Sequence, residues 1–280
     1  MHYRMGKTKR SSYVVSKLMR SLTTLLIGTV ITVVSAVLPS MGYGQDTTAI
    51  ASLKKDTIVF NGGITVTNKG ISTIPSSTLG KAATIFNFSF RKDKLSFDPE
   101  LRFDMEDVKP WSFIFWWRYR LIENEKWRLS VGVNPGLSFK NYNIIKNGET
   151  EKVLAVERVP TGDFAPTYLI SDKVSTGLYY MYSYRLEGTI RHTHFLAWRT
   201  NISKLMVNDF EFRFSPQLYY LRVDDRDGIY ASSGVAVNKP KLPFTLSAQF
   251  NKKIDSDISG NDFIWNVSLT YNFGNRYLAL

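Results

Sequence analysis

The sequence contains no cysteine and only three histidines, His2, His192 and His194, among its 280 residues. Without a thiol, the chain can form no disulfide, use no thiol nucleophile and carry no lipid-modified N-terminal cysteine. Two of the three imidazoles, His192 and His194, are separated by a single residue. Chemistry that depends on histidine outside the N-terminal region is therefore restricted to one place in the chain.

Long apolar runs are also scarce, because the one helix-length apolar stretch lies at residues 22–38. Basic residues precede it, and the small residues Gly42 and Gly44 follow it just before Gln45. This order predicts a secretory signal peptide over residues 1–44, cleaved before Gln45. An uncleaved membrane anchor is the alternative, because the run approaches the roughly 18–20 residues needed to span a bilayer.

The net charge of +12 overstates how basic the protein is. Half of this excess comes from residues 1–44, which contain six lysines and arginines and no acidic residue. The basic residues beyond that region are scattered and form no lysine- or arginine-rich helix. The charge pattern therefore predicts no nucleic-acid partner.

What the sequence has in abundance is strict alternation of apolar and polar side chains, most clearly in residues 94–139. The middle of three alternating stretches there places one set of aromatic residues on one face, namely Trp111, Phe113, Phe115, Trp117 and Tyr119. Its opposite face carries Ser112, Ile114, Trp116, Arg118 and Arg120. A period of two over ten or more residues predicts strands with one apolar and one polar face.

The same alternation predicts an all-β fold, an antiparallel up-and-down transmembrane barrel of about 12 strands over residues 57–273. Residues 45–56 are polar and are expected to be a flexible periplasmic lead-in, and residues 274–280 a C-terminal tail. If both ends lie in the periplasm, the short turns fall on that side, as in bacterial barrels. The longer connections, predicted at 68–81, 140–150 and 252–261, then fall on the outer side.

Prolines are the main obstacle to this assignment. Pro99, Pro135 and Pro216 lie within predicted strands, where each removes a hydrogen-bond donor from the ladder, so we expect bulges or local distortion there. Residues 151–170 are the least regular segment, because Pro160 and Pro166 interrupt them. We interpret this segment as one long strand, with two short strands as the alternative.

Twelve strands enclose more space than side chains can fill, which distinguishes this pattern from soluble barrels of about eight strands. The apolar face must then contact lipid, and the polar face must line the lumen. Tryptophan and tyrosine near strand ends are typical of the aromatic girdles of membrane barrels, here Trp111, Tyr119, Trp127, Tyr182, Tyr184 and Tyr271.

On these features the chain resembles Gram-negative outer-membrane β-barrel proteins over residues 57–273. Its last predicted strand, NVSLTYNF, is similar to the recognition strand of that class, which typically ends in an aromatic residue; here Phe273 is followed by seven more residues. The resemblance implies an outer-membrane location, reached after signal-peptide cleavage. It also implies the lipid bilayer and the outer-membrane assembly machinery as partners.

The predicted lumen is the strongest candidate for a functional site. Its expected charged residues comprise seven arginines and four acids: Asp98, Glu100, Arg102, Asp104, Arg118, Arg120, Arg128, Arg185, Arg199, Glu211 and Arg213. Such residues set selectivity in a water-filled pore, and the arginine excess would favour anions. The alternative is an ion-pair network that makes the barrel rigid and leaves no useful pore.

His192 and His194 could bind a metal or act as a catalytic base, as in outer-membrane phospholipases. They share their phase with Leu196 and Trp198, however, so we expect them on the outer wall near the rim. The leading function predicted from the sequence is a narrow channel for small, in particular anionic, solutes, without a cofactor. The alternatives are a closed structural or surface-interaction barrel that binds through its long loops, and an outer-membrane hydrolase.

Overall fold

The computed structural model describes residues 57–72, 74, 77–146 and 149–278. The predicted signal peptide and lead-in lie outside these residues and stay predictions. The described residues form twelve strands, and among them no helix is long and apolar enough to cross a membrane.

The strands form one closed antiparallel barrel in which each strand pairs with its neighbours in sequence. The barrel closes where β1 pairs with β12, from Thr57 opposite Leu278 to Thr67 opposite Ser268. The predicted twelve-stranded antiparallel fold is therefore confirmed. The strands are β1 Thr57–Thr67, β2 Ala83–Lys92, β3 Leu95–Asp104, β4 Lys109–Glu123, β5 Trp127–Lys146, β6 Glu149–Leu169, β7 Val174–Tyr184, β8 His192–Val207, β9 Phe210–Val223, β10 Arg226–Asn238, β11 Phe244–Ser256 and β12 Phe263–Leu278.

Every strand exposes large apolar side chains, as the alternation predicts. Leu178, Trp198, Leu218, Leu246 and Leu269, for example, are each about half exposed. A water-soluble protein rarely leaves so continuous an apolar surface uncovered. A closed barrel also pairs all its strands and leaves no edge, which is what the hydrocarbon core of a membrane requires.

The two ends of the barrel differ in how the strands are connected. One end, called the loop end here, carries connections 68–82, 105–108, 185–191, 224–225 and 257–262. The opposite end, called the turn end, has turns such as 93–94 and 208–209. The predicted loop at 140–150 is wrong, because β5 continues to Lys146 and β6 begins at Glu149. Beyond Ser138 and Thr161 these two strands pair only with each other, so they project from the loop end as a ribbon.

Two further boundaries can be compared with the sequence. Residues 149–169 form one long strand, β6, in agreement with the preferred interpretation of the irregular segment. Strand β12 continues past Phe273 to Leu278, so residues 274–278 belong to the barrel instead of a tail. Pairing with β1 holds these last residues in the sheet.

The prolines interrupt the hydrogen-bond ladder without shifting its register. Between β4 and β5 the pairing skips the residues around Pro135 and resumes in the same register. Asn134 compensates there, because its Oδ1 accepts a hydrogen bond of 2.7 Å from the backbone N–H of Phe115. Pairing is interrupted in the same way beside Pro99 and Pro216. The expected distortions are therefore present as gaps in the ladder.

A true register shift occurs between β3 and β4 and changes where Trp111 points. Arg102 pairs with Ser112, whereas the next residue, Phe103, pairs with Pro110, so Trp111 is an extra residue on β4. A bulge of this kind redirects a side chain, and Trp111 is only 7% exposed and lines an interior cavity. Its predicted position on the lipid-facing aromatic girdle is wrong.

Candidate functional site: the barrel lumen

The interior of the described barrel contains two arginine-lined cavities. One, of about 440 Å³, is walled mainly by serine, glutamine and asparagine side chains of β9–β12, with Arg102 and Arg213 as its charged residues. The other, of about 230 Å³, is lined by Arg102, Arg185, Arg191 and Arg199. Among the described residues that line either cavity, none is acidic. The two cavities are called the large and the small chamber below.

A hydrogen-bonded network centred on Arg118 crosses the wall beside the small chamber. From β4, Arg118 reaches over β5 to Asp163 on β6 at 3.1 Å, and to Asp98 on β3 at 3.4 Å. Asp163 also accepts a hydrogen bond of 3.2 Å from the hydroxyl of Tyr179 on β7. Gly132 makes this path possible, since a Cβ there would lie 2.5 Å from the Asp163 carboxylate.

A second network lies at the loop end and is centred on Glu157, which is only 2% exposed. Glu157 pairs with Arg185, accepts a hydrogen bond from the Tyr142 hydroxyl and lies 3.4 Å from Lys140. Because a buried carboxylate is stable only when it is paired and hydrogen-bonded, these contacts hold the base of the projecting ribbon against the barrel.

Three interior arginines lie over aromatic rings. The guanidinium carbon of Arg199 lies 3.5 Å from the ring centre of Tyr179, and that of Arg118 lies 4.2 Å from the ring of Trp116. Arg102 lies 5.0 Å from the ring of Trp111. Contact with the ring face attracts a cation without neutralising its charge.

The interior is not uniformly polar, which differs from the sequence-based expectation. On the β7–β10 side it contains an apolar cluster, whose fully buried members include Phe195 and Leu221. Ile258, from connection 257–262, belongs to this cluster, and Ile74, from connection 68–82, packs against it. These apolar residues narrow the lumen on one side.

Connection 68–82 folds into the lumen, whereas the sequence predicted an outward loop at 68–81. The backbone carbonyl of Ser77 accepts a hydrogen bond of 3.1 Å from the indole N–H of Trp111. At the rim, Lys81 pairs with Glu106 at 2.9 Å, and this partner raises the pKa of the lysine. The connection is thus anchored at both the cavity and the rim, and it contributes to the walls of both chambers.

The remaining predicted lumen residues lie outside the chambers. Glu100 pairs with Arg102, and Asp104 lies 4.0 Å from Lys81 at the loop end. Near the turn end, Arg120 pairs with Glu123, and Arg128 lies opposite Glu123 on the neighbouring strand. Glu211 is the second residue of β9, also at the turn end.

Sequence reasoning missed several interior residues, among them Asp163, Glu157 and Trp111. The first two lie in β6, where prolines hide the alternation that would have shown which side chains face inward. Their strand-mates in phase with them, such as Thr161, also line the small chamber. Once the register of β6 is known, every second residue of the strand is expected to face inward, and both acids are among these residues.

His192 and His194 lie on the exterior wall, as predicted. The Nδ1 of His194 is 2.9 Å from the hydroxyl of Tyr180, and the Nδ1 of His192 is 2.9 Å from the hydroxyl of Tyr182. These residues belong to an exposed layer of alternating imidazole and phenol rings. Within the described part of the chain, no group of three or more histidine, cysteine, aspartate or glutamate residues is arranged to hold a metal.

Neither a protein family model nor a curated protein sequence matches this chain. Solved structures do match. The KdgM porin aligns with 75% of this chain and 98% of its own, with a TM-score of 0.51 and 9% sequence identity. The NanC porin aligns with 78% of this chain and all of its own, with a TM-score of 0.44 and 12% identity. An outer membrane channel from Pseudomonas putida F1 covers 83% of this chain, with a TM-score of 0.43 and 11% identity. The closed twelve-stranded barrel and its match to the KdgM porin show that the chain has the fold of an outer-membrane β-barrel.

Proposed function

We propose that this barrel is an outer-membrane channel through which small anionic solutes diffuse. The observation that carries the proposal is the charge of the two chambers, whose described lining residues include arginines from several strands and no acid. Fixed cations in a narrow, water-filled space attract anions and repel cations. The likeness of the fold to the KdgM porin supports a channel-type architecture.

Not every interior arginine contributes equally to this selectivity. Arg118 and Arg185 are paired with carboxylates, so most of their charge is compensated locally. In the described residues, Arg199 and Arg213 make no ion pair and line the small and the large chamber respectively. Arg191 also lines the small chamber without an ion pair, but it lies in connection 185–191 at the loop end, where its guanidinium donates to the backbone carbonyls of Arg185 and Leu186. Arg199 and Arg213 should therefore contribute most of the uncompensated charge that a permeating ion meets within the strands of the barrel.

The test is the reversal potential of single channels in a planar bilayer under a salt gradient. The wild-type channel should favour chloride over potassium, and Arg199→Gln combined with Arg213→Gln should lower that preference. Arg222→Gln is the matched control, because Arg222 is an exposed arginine in phase with the lipid-facing Leu218 and Tyr220. A cation-selective wild type, or equal effects of the control and the double variant, would contradict the proposal.

A closed structural barrel is the second candidate function. The apolar cluster of β7–β10 and the infolded connection 68–82 favour it, because both fill part of the lumen. A correctly folded, heat-modifiable barrel that carries no current would select this candidate over the channel.

A further inference from the structure

Arg199 differs from the other stacked arginines in having its hydrogen-bonding edge free of carboxylates. Its guanidinium lies over Tyr179 at 3.5 Å, with the ring of Phe195 at 6.0 Å. Arg118 and Arg102 also stack on rings, but each is paired with an acid of the barrel wall. Among the described residues, no carboxylate lies within ion-pair distance of Arg199.

Only Oδ2 of the nearby Asp163 carboxylate is engaged, since its buried Oδ1 has no hydrogen-bond partner among the described residues. Oδ2 accepts hydrogen bonds from Arg118 at 3.1 and 3.2 Å, and from the hydroxyl of Tyr179 at 3.2 Å. Tyr179 is thus fixed at both its hydroxyl and its ring face. A ring held in this way restrains the plane of the Arg199 guanidinium, whose N–H groups lie in that plane and stay available.

The walls of the small chamber are suited to an organic solute. Besides its arginines, the chamber is lined by Trp111, Trp116, Phe195 and Met181. Its volume of about 230 Å³ is below the roughly 300–1,000 Å³ typical of sites for drug-sized ligands. A solute held there must therefore be small, with an anionic group and a compact apolar body.

We propose that the small chamber is a binding subsite for small organic carboxylates, with the carboxylate on Arg199 and the carbon body against the half-buried Trp116 and Met181. The guanidinium fork matches the two oxygens of a carboxylate, whereas a spherical halide can use only its charge. The subsite rests on the proposed function, because the solute must enter the lumen to reach it. It makes the channel selective for one class of anion.

The experiment measures how acetate, benzoate and inorganic phosphate block the chloride current of single channels. Benzoate should block the wild type at a lower concentration than acetate or phosphate, because it supplies both the carboxylate and the apolar body. Arg199→Lys keeps the charge but loses the fork, and it should raise the blocking concentration of benzoate about tenfold, the equivalent of one charge-assisted hydrogen bond. Arg222→Lys, on the exterior wall, is the control and should leave the block unchanged.

Calorimetric titration of the folded barrel in detergent with benzoate gives a readout that does not need conduction. Benzoate binding that is lost in Arg199→Lys supports the subsite even if the barrel carries no current. The absence of current would then overturn only the channel function. If chloride current flows and benzoate blocks the wild type and Arg199→Lys equally, the subsite is refuted but the channel function is not. If Arg199→Lys fails to fold, the order of block in the wild type decides, and phosphate blocking as well as benzoate would refute an organic carboxylate site.

Discussion

The ion pair between Arg118 and Asp163 predicts that mutations of its two partners have unequal effects on barrel stability. The side chain of Asp163 is 1% exposed, whereas that of Arg118 is 29% exposed. Arg118→Met would leave the buried carboxylate with the Tyr179 hydroxyl as its remaining side-chain donor. Removing one partner of a buried pair in this way costs about 3–5 kcal/mol. Asp163→Asn leaves Arg118 beside Asp98 and in contact with water, so we expect a cost of about 1–2 kcal/mol.

The double variant makes the test specific to the buried charge. In the Arg118→Met background, Asp163→Asn should recover part of the lost stability, because a neutral amide needs no counterion. The assay is urea unfolding of the barrel from lipid vesicles, followed by tryptophan fluorescence and analysed as free energies of unfolding. Equal costs for the two single variants, or costs that simply add in the double variant, would refute the reasoning.

Two further predictions concern packing and pH. Gly132→Ala should destabilise the barrel by about 1–3 kcal/mol in the same urea assay, because the new Cβ would lie 2.5 Å from the Asp163 carboxylate. Gly234→Ala is the control and should be nearly neutral, because the atom nearest to its new Cβ would be 3.9 Å away. In connection 185–191, hydrogen bonds from the backbone and side chain of Arg158 lower the pKa of Glu187. A lowered folded-state pKa means that the stabilisation is present near neutral pH and is lost as the pH falls through that pKa, below about pH 4. Hydrogen exchange of this connection, corrected for intrinsic rates, should therefore speed up in acid in the wild type, and a Glu187→Gln protein showing the same acid response would contradict the assignment.

The architecture could be predicted from the sequence because the alternation of apolar and polar residues is a strong, local signal for strands. Twelve strands, the antiparallel order and the outward position of His192 and His194 all follow from which residues share a face. The ribbon of β5 and β6 was missed because its polar, glycine-containing sequence resembles a loop. Only the pairing of β5 with β6 beyond the barrel rim distinguishes this ribbon from a loop.

The interior was harder to predict because it depends on the register between paired strands and on contacts across the lumen. Trp111 points inward only because β4 gains one residue relative to β3, a shift that alternation within β4 cannot reveal. The inward path of connection 68–82 likewise depends on this indole and on the apolar cluster across the lumen. Each is a tertiary contact, and neither leaves a periodic signal in the local sequence.

The sequence suggested that interior arginines either form a selective pore or are consumed by ion pairs, and in the structure carboxylates hold some of these arginines but not others. Arg118 and Arg185 are held by Asp163, Asp98 and Glu157, acids that are largely buried in the wall. An arginine held in this way stabilises the barrel but contributes little net charge to the lumen. Among the described residues, no carboxylate lies within ion-pair distance of Arg199, and the ring of Tyr179 lies against its guanidinium, so its charge is less compensated. Stability and anion selectivity should therefore separate in mutants: Arg118→Met should weaken the barrel more than it changes selectivity, and Arg199→Gln should do the reverse.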